Sequence, residues 1–259
     1  MRVIGIATAA LGLAVLLAAC SGGSSFIQPS ASRLAAATAS PVTTPTVAKS
    51  FDPFRDEAET ASRRREVIEN PTIAQVMQKG ALEEISMGRA DAPVTIIKYA
   101  SLTCPYCRKF QMETFPVLKR EYIDTGKVRF IMREFPIGFQ SGAATIALRC
   151  VPRQKYFSLY GKFLRQQGAW ASQEVRREPI FRVARQVGLS RAAFDACYED
   201  KALVANLNWV KNRGRTLGVI GTPNFFVNGK LMKQVLTMRD IRKLVSEVLA
   251  KPVALAHKS

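Results

Sequence analysis

The sequence predicts an α/β domain: a βαβ unit, an all-helical block and then a ββα unit. Three observations predict it. A β-rich run, a helical pattern and a second β-rich run follow one another between residues 94 and 132. Residues 140–217 then carry helical patterns and no convincing strand. Finally, Asn228-Gly229 sits between two short apolar runs and is followed by an amphipathic helix. Strand, helix and strand at the first spacing make a crossover that should be right-handed. Asn-Gly is the strongest short-range hairpin signal, because both turn positions need positive φ.

Arg2 precedes the uncharged apolar stretch 3–19, which closes on Leu17-Ala18-Ala19-Cys20. A basic start, an apolar middle and small residues at the end make residues 1–20 an export signal. Leu-Ala-Ala-Cys also resembles the lipobox of bacterial lipoproteins, whose cysteine is acylated; cleavage without lipid and an uncleaved anchor are the alternatives. Each places the folded part outside the cytoplasm, where disulfides persist. Residues 21–50 are Ser, Gly, Ala, Thr and Pro with Arg33 and Lys49 as the charges, and read as a disordered tether reaching roughly 30 Å. Residues 51–90 form a charged lead with a helical pattern over 54–69. Asn70-Pro71 then looks like an N-cap and first helical position before the stripe Ile73, Val76, Met77.

Val94–Ala100 is an uninterrupted β-rich run, consistent with a buried strand. Residues 104–125 carry Phe110, Phe115, Leu118 and Tyr122 at near-helical spacing and stop at Gly126, with a kink expected at Pro116. Residues 128–132 return as a strand, completing the segment 91–139. Within 140–217, residues 143–148, 155–165 and 175–187 read as helices. Ser190 caps another, with Leu189 and Phe194 placed as a hydrophobic staple, and Leu203, Leu207 and Val210 continue the pattern. In 218–250, Asn224-Phe225-Phe226-Val227 and Leu231-Met232 flank the hairpin turn. Thr237 caps the last helix, Asp240 closes a capping box, and Ile241, Leu244, Val245, Val248 and Leu249 form its apolar stripe. Residues 251–259 are a tail.

Composition narrows the chemistry. With 47% hydrophobic and 22% charged residues in 259, a core is available and wholesale disorder is excluded. The net charge is +18, and residues 140–259 hold 21 Lys/Arg against 7 Asp/Glu. An exported chain rarely meets nucleic acid, so an anionic membrane surface, envelope polymers or acidic unfolded clients suit this charge better, beside the plain reading of a solvated surface. One histidine, His257, and five cysteines exclude the common zinc cages and, unless the tail folds back, a Ser-His-Asp triad. No metal is expected. The aromatic pairs Phe225-Phe226 and Tyr156-Phe157 read as core.

The chemistry sits at Cys104-Pro105-Tyr106-Cys107. A cysteine leaving a strand and opening a helix lies where unpaired N–H groups and the helix dipole stabilise negative charge on sulfur. The second cysteine, one turn inside, can close a disulfide or resolve a mixed one. An inert local disulfide and half of a zinc site are the competing readings; the zinc version lacks two further ligands. Thr222-Pro223 precedes the strand at Asn224. That proline cannot donate to a sheet ladder, so it is a simple strand-entry proline or a cis turn facing the cysteines, with the Thr222 backbone free to pair with an extended substrate.

The CPYC tetrapeptide after a hydrophobic strand, the helical insertion, GTPNFFVNGK and the C-terminal amphipathic helix together resemble an exported thioredoxin-fold protein of the DsbA-like group, over roughly residues 85–250. The resemblance implies a thioredoxin fold with an inserted helical subdomain. It implies an exposed nucleophile at Cys104, a buried resolving thiol at Cys107, cis geometry at Pro223, and a client-binding edge of Pro105, Tyr106, Thr222 and Pro223. The implied activity is thiol:disulfide exchange in the periplasm, without a cofactor, by a monomer. Its partners would be unfolded or cysteine-containing exported proteins and a membrane redox partner that re-oxidises the pair. The same site run backwards is a reductase or isomerase, and a non-catalytic envelope binding module is the reading from another class.

Two departures stand out. Pro-Tyr replaces the Pro-His common in strong oxidants of the group, which predicts a less oxidising couple. Lys98, six residues before Cys104, stands where relatives usually carry a buried acid. It shares a strand face with Val94 and Ile96, and either acts on the cysteines or snorkels past the strand end to water. Cys150 and Cys197 remain, and in an oxidising compartment they are expected as a structural disulfide, with two buried thiols as the alternative. Some relatives in the group have such a second bridge.

Overall fold

The computed structural model describes residues 67–250. The export signal with Cys20, the tether, most of the lead at 51–66 and the tail with His257 lie outside the described residues. Five strands form one sheet in the order β1-β3-β2-β4-β5: β1 Ile85–Met87, β2 Val94–Ala100, β3 Val128–Glu134, β4 Asn224–Val227 and β5 Lys230–Met232. The central pair β2 and β3 is parallel, and every other pairing is antiparallel. The crossover between β2 and β3 is a helical rod, α2, running through Pro105–Lys109, Phe110–Thr114, Phe115–Leu118 and Lys119–Ile123. Asn228 and Gly229 take φ of 44° and 87°, the double positive φ of a tight hairpin turn.

The insertion consists of α3 Phe139–Arg149, α4 Arg153–Arg165, α5 Gln167–Trp170, α6 Arg177–Ala184 with a 3₁₀ turn Arg185–Val187, α7 Arg191–Glu199 and α8 Lys201–Thr216. The last helix, α9, spans Met238–Leu249. Its Thr237–Asp240 capping box forms as expected, as does the Ser190 cap with Leu189 and Phe194 both buried. Strand alternation divides the core. Val94, Ile96, Phe130, Met132, Phe225 and Val227 face α2, α9 and the insertion. Ile97, Tyr99, Ile131 and Phe226 face Val76, Leu217 and Val219 on the opposite side. Where α8 crosses the second face, a Cβ on Gly214 would lie 2.7 Å from the Tyr99 ring, so no larger residue fits there without displacing that ring.

Three expectations are corrected. The first helix, α1 Ile73–Met77, is capped by Thr72 with Gln75 and not by Asn70, which takes φ of 52°; residues 67–69 are not helical. The short edge strand β1 had no sequence signal, since three residues show no period. The α2 rod departs from α geometry at both Phe110–Thr114 and Lys119–Ile123, where the backbone forms π turns. The first lies directly before Pro116. There the Phe115 N–H reaches back five residues to the Phe110 carbonyl, a wide turn of the kind that accommodates a proline's missing donor.

Candidate active site

Cys104 ends the strand approach and caps α2 with extended backbone, φ −75° and ψ 121°. Its sulfur accepts from the Cys107 N–H at 3.4 Å and lies 3.0 Å from the Thr222 carbonyl, to which it donates when protonated. The Thr222–Pro223 peptide is cis, which turns that carbonyl toward the cysteine as β4 begins. Cys104 is half-buried, Cys107 is fully buried, and Tyr106 projects into solvent with 60% of its surface exposed. Both active-site cysteines are present as thiols, so the geometry is that of the reduced pair.

The two sulfurs have opposite electrostatics. Cys104 is pulled down to about 5, chiefly by a hydrogen bond from the Cys107 thiol and also by the backbone N–H groups of Cys107 and Tyr106. The helix start therefore contributes as expected, but the neighbouring thiol contributes most. Burial pushes Cys107 well above the ordinary thiol range. One sulfur is a thiolate at neutral pH, and the other keeps its proton.

A family profile described as Thioredoxin matches residues 81–247. The chain belongs to the thioredoxin family. A protein of Rickettsia conorii named as a protein-disulfide oxidoreductase is 34% identical over 181 residues, covering 67% of this chain and 64% of its own length. The chain spans 57% of a similarly named Rickettsia bellii relative. Among solved structures, Wolbachia pipientis alpha-DsbA1 superposes with a TM-score of 0.62 at 25% identity, covering 68% of this chain and 95% of that one. Bacillus subtilis BdbD shares the fold at 19% identity, with a TM-score of 0.61 and coverage of 72% and 99%.

Lys98 lies in the interior against Phe110 of α2, and charge on the two cysteine sulfurs acts on it. Its side chain has no solvent exposure, which removes the snorkelling alternative. Nζ donates to the Tyr160 hydroxyl at 3.1 Å and sits 4.3 Å above the Phe110 ring centroid. Burial pushes the amine down to about 8, while negative charge on Cys107 and Cys104 holds it up.

Some residues that shape the site had no sequence signal. Tyr160 arrives from α4 and Gln167 from α5, more than sixty positions from their partners. Gln167 Nε2 donates to the carbonyls of Leu102 at 2.8 Å and Cys104 at 3.1 Å, tying the insertion to the turn that presents the nucleophile. Ser101 Oγ lies 2.7 Å from Ser141 Oγ and accepts from the Ile137 N–H, a second tie between β2 and the insertion. Away from the site, Cys150 and Cys197 are joined as a disulfide between the end of α3 and α7. Among the described residues no group of three or more His, Cys, Asp or Glu is placed to hold a metal, and no helix is long and apolar enough to cross a membrane.

Proposed function

We propose that the chain is an exported thiol:disulfide oxidoreductase of the DsbA-like type that introduces disulfides into proteins of the periplasm, held near the membrane by a lipid on Cys20. The observation that carries the reading is the pairing of an acidic, accessible Cys104 with a buried, protonated Cys107 beside the cis Thr222–Pro223 turn. In the oxidised enzyme a client thiolate attacks the Cys104 sulfur. A client–Cys104 bond forms, the Cys104–Cys107 bond breaks, and Cys107 leaves with the electron pair and is protonated. The client's second thiolate then attacks the client sulfur of the mixed disulfide and expels Cys104 as a thiolate. The client loses two electrons, the enzyme gains two, and a membrane oxidant must remove them.

Stabilising the Cys104 thiolate stabilises the reduced pair, which favours the oxidase direction over reductase or isomerase work. Thr222 offers its backbone to an extended client, with Pro105 and Tyr106 on the exposed side of the cysteines. The test is capture of clients in cells: a Cys107→Ala chain cannot resolve from within and should accumulate mixed disulfides through Cys104 with exported proteins. Activity that survives Cys104→Ser would instead mark a binding module. A resting state that is reduced in cells would reverse the direction.

A further inference from the structure

Lys98 is an unusual group to find where it is. A primary amine at 0% exposure has left water for a site with a neutral hydroxyl, an aromatic face and two sulfurs. The neighbours on its sheet face are Met132 across the parallel pairing and Phe225 across the antiparallel one, both apolar. The titratable groups facing it are Tyr160 from α4 and the two cysteines of α2. Glu134 bears on Tyr160 from further off, and itself accepts from Tyr156 and Arg149. The charge available to offset a buried ammonium is therefore sulfur charge, and sulfur charge exists only when the pair is reduced.

We propose that Lys98, fully buried against Phe110 of the cysteine-bearing helix and hydrogen-bonded to Tyr160, takes up a proton when the disulfide is reduced and gives it up when the disulfide re-forms. This rests on the CPYC pair being a working redox couple. Reduction adds two electrons, breaks the Cys104–Cys107 bond, leaves Cys104 as a thiolate, and places one proton on the Cys107 sulfur. The second proton goes to the Lys98 amine, so the site takes up two protons and two electrons with no net change of charge. Oxidation removes the thiolate, and the desolvated ammonium loses its counter-charge and releases the proton. The sign is consistent with the direction of the coupling: the Cys104 thiolate raises the amine, and losing that charge on oxidation lowers it. Tyr160 is the positioning residue, since its hydroxyl oxygen accepts from the amine and fixes where the charge can sit.

The test is the redox equilibrium of the full chain with glutathione between pH 6.5 and 7.5. Two protonated glutathione thiols supply two protons, of which the thiolate–thiol product keeps one on sulfur. Without Lys98 the other is released, and the reduced fraction constant rises about tenfold per pH unit. With Lys98 as acceptor it is retained, and the constant is nearly flat. The expected result is a flat wild-type profile and a tenfold-per-unit slope in Lys98→Met. Tyr160→Phe, which keeps the ring, should steepen the wild-type profile by weakening the ammonium; a purely structural role would lower stability without altering the slope. A wild-type slope as steep as that of Lys98→Met overturns the proposal. Should Lys98→Met fail to fold, a Tyr160→Phe slope identical to wild type overturns it. The equilibrium is defined whether or not any client exists, so client trapping and the pH slope fail independently.

Discussion

Replacing Cys107 with alanine tests the electrostatics of the site at the group that contributes most. The Cys107 thiol is the largest cause of the Cys104 shift to about 5, ahead of the backbone N–H groups. A hydrogen bond to a charged acceptor contributes about 1.5–3 kcal/mol, which corresponds to a roughly ten- to hundredfold change in acid dissociation constant at 1.4 kcal/mol per decade. Cys107→Ala should therefore make Cys104 about ten- to hundredfold less acidic. It should still be more acidic than a free thiol of pKa ~8.5, because the Cys107 and Tyr106 N–H groups survive the substitution. The assay is the rate of iodoacetamide alkylation of Cys104 against pH, followed by mass spectrometry in the reduced wild type and in Cys107→Ala. Wild type should titrate near 5 and the variant at a higher pH. A wild-type midpoint at that of a free thiol, or a variant midpoint that does not move, would refute the account of how the thiolate is held.

The other predictions concern stability. Cys150 and Cys197 are 47 positions apart, and closing such a loop stabilises by roughly 4 kcal/mol in the chain-entropy model. The double replacement by alanine should lower the melting temperature by about 8–16 °C, and a fall under ~2 °C would show the bridge to be dispensable. Glu134 and Arg149 form a buried pair bonded at 2.5 and 2.9 Å, with Tyr156 donating to the same carboxylate at 2.8 Å. Glu134→Gln leaves the guanidinium buried without its counter-charge and should cost about 3–5 kcal/mol, read as a lower urea midpoint at unchanged slope. A loss below ~1 kcal/mol would show that the pair is not needed.

What the sequence revealed follows from how local each signal is. Val94–Ala100 was legible end to end because an uninterrupted β-rich run bounded by Pro93 and Ser101 has few other uses. The caps at Ser190 and Thr237 were legible because a hydroxyl, a spacing of three and an apolar stripe lie within one turn. At the first helix the same rule chose Asn70 over Thr72, since Asn-Pro imitates the start that Thr72 and Gln75 make two residues later. Alternation gave the face on which Lys98 lies but not its depth. Depth depends on Phe110 and Tyr160 closing over it, and Tyr160 comes from a helix 62 positions away. Gln167 was illegible for the same reason.

The depth of that lysine matters because acidity alone does not make Cys104 fast. With an acidity near 5 it is about 99% thiolate at pH 7, against a few per cent for a free thiol, a gain of roughly thirtyfold. Intrinsic nucleophilicity falls with acidity, and a Brønsted coefficient of 0.4–0.5 over that range removes roughly twenty-five- to fiftyfold. The two nearly cancel, so Cys104 as an attacking sulfur gains little; its advantage lies in leaving, where a stable thiolate is the better group. Cys107 is the reverse. Burial makes its anion unfavourable, so in the proposed cycle it would leave poorly when a thiolate attacks Cys104 and attack poorly in resolving a mixed disulfide. Each of those steps is eased by positive charge or a mobile proton next to the buried sulfur. Charge on Lys98 lowers the Cys107 thiol against the effect of burial, which is the direction that eases both steps at the slower of the two sulfurs.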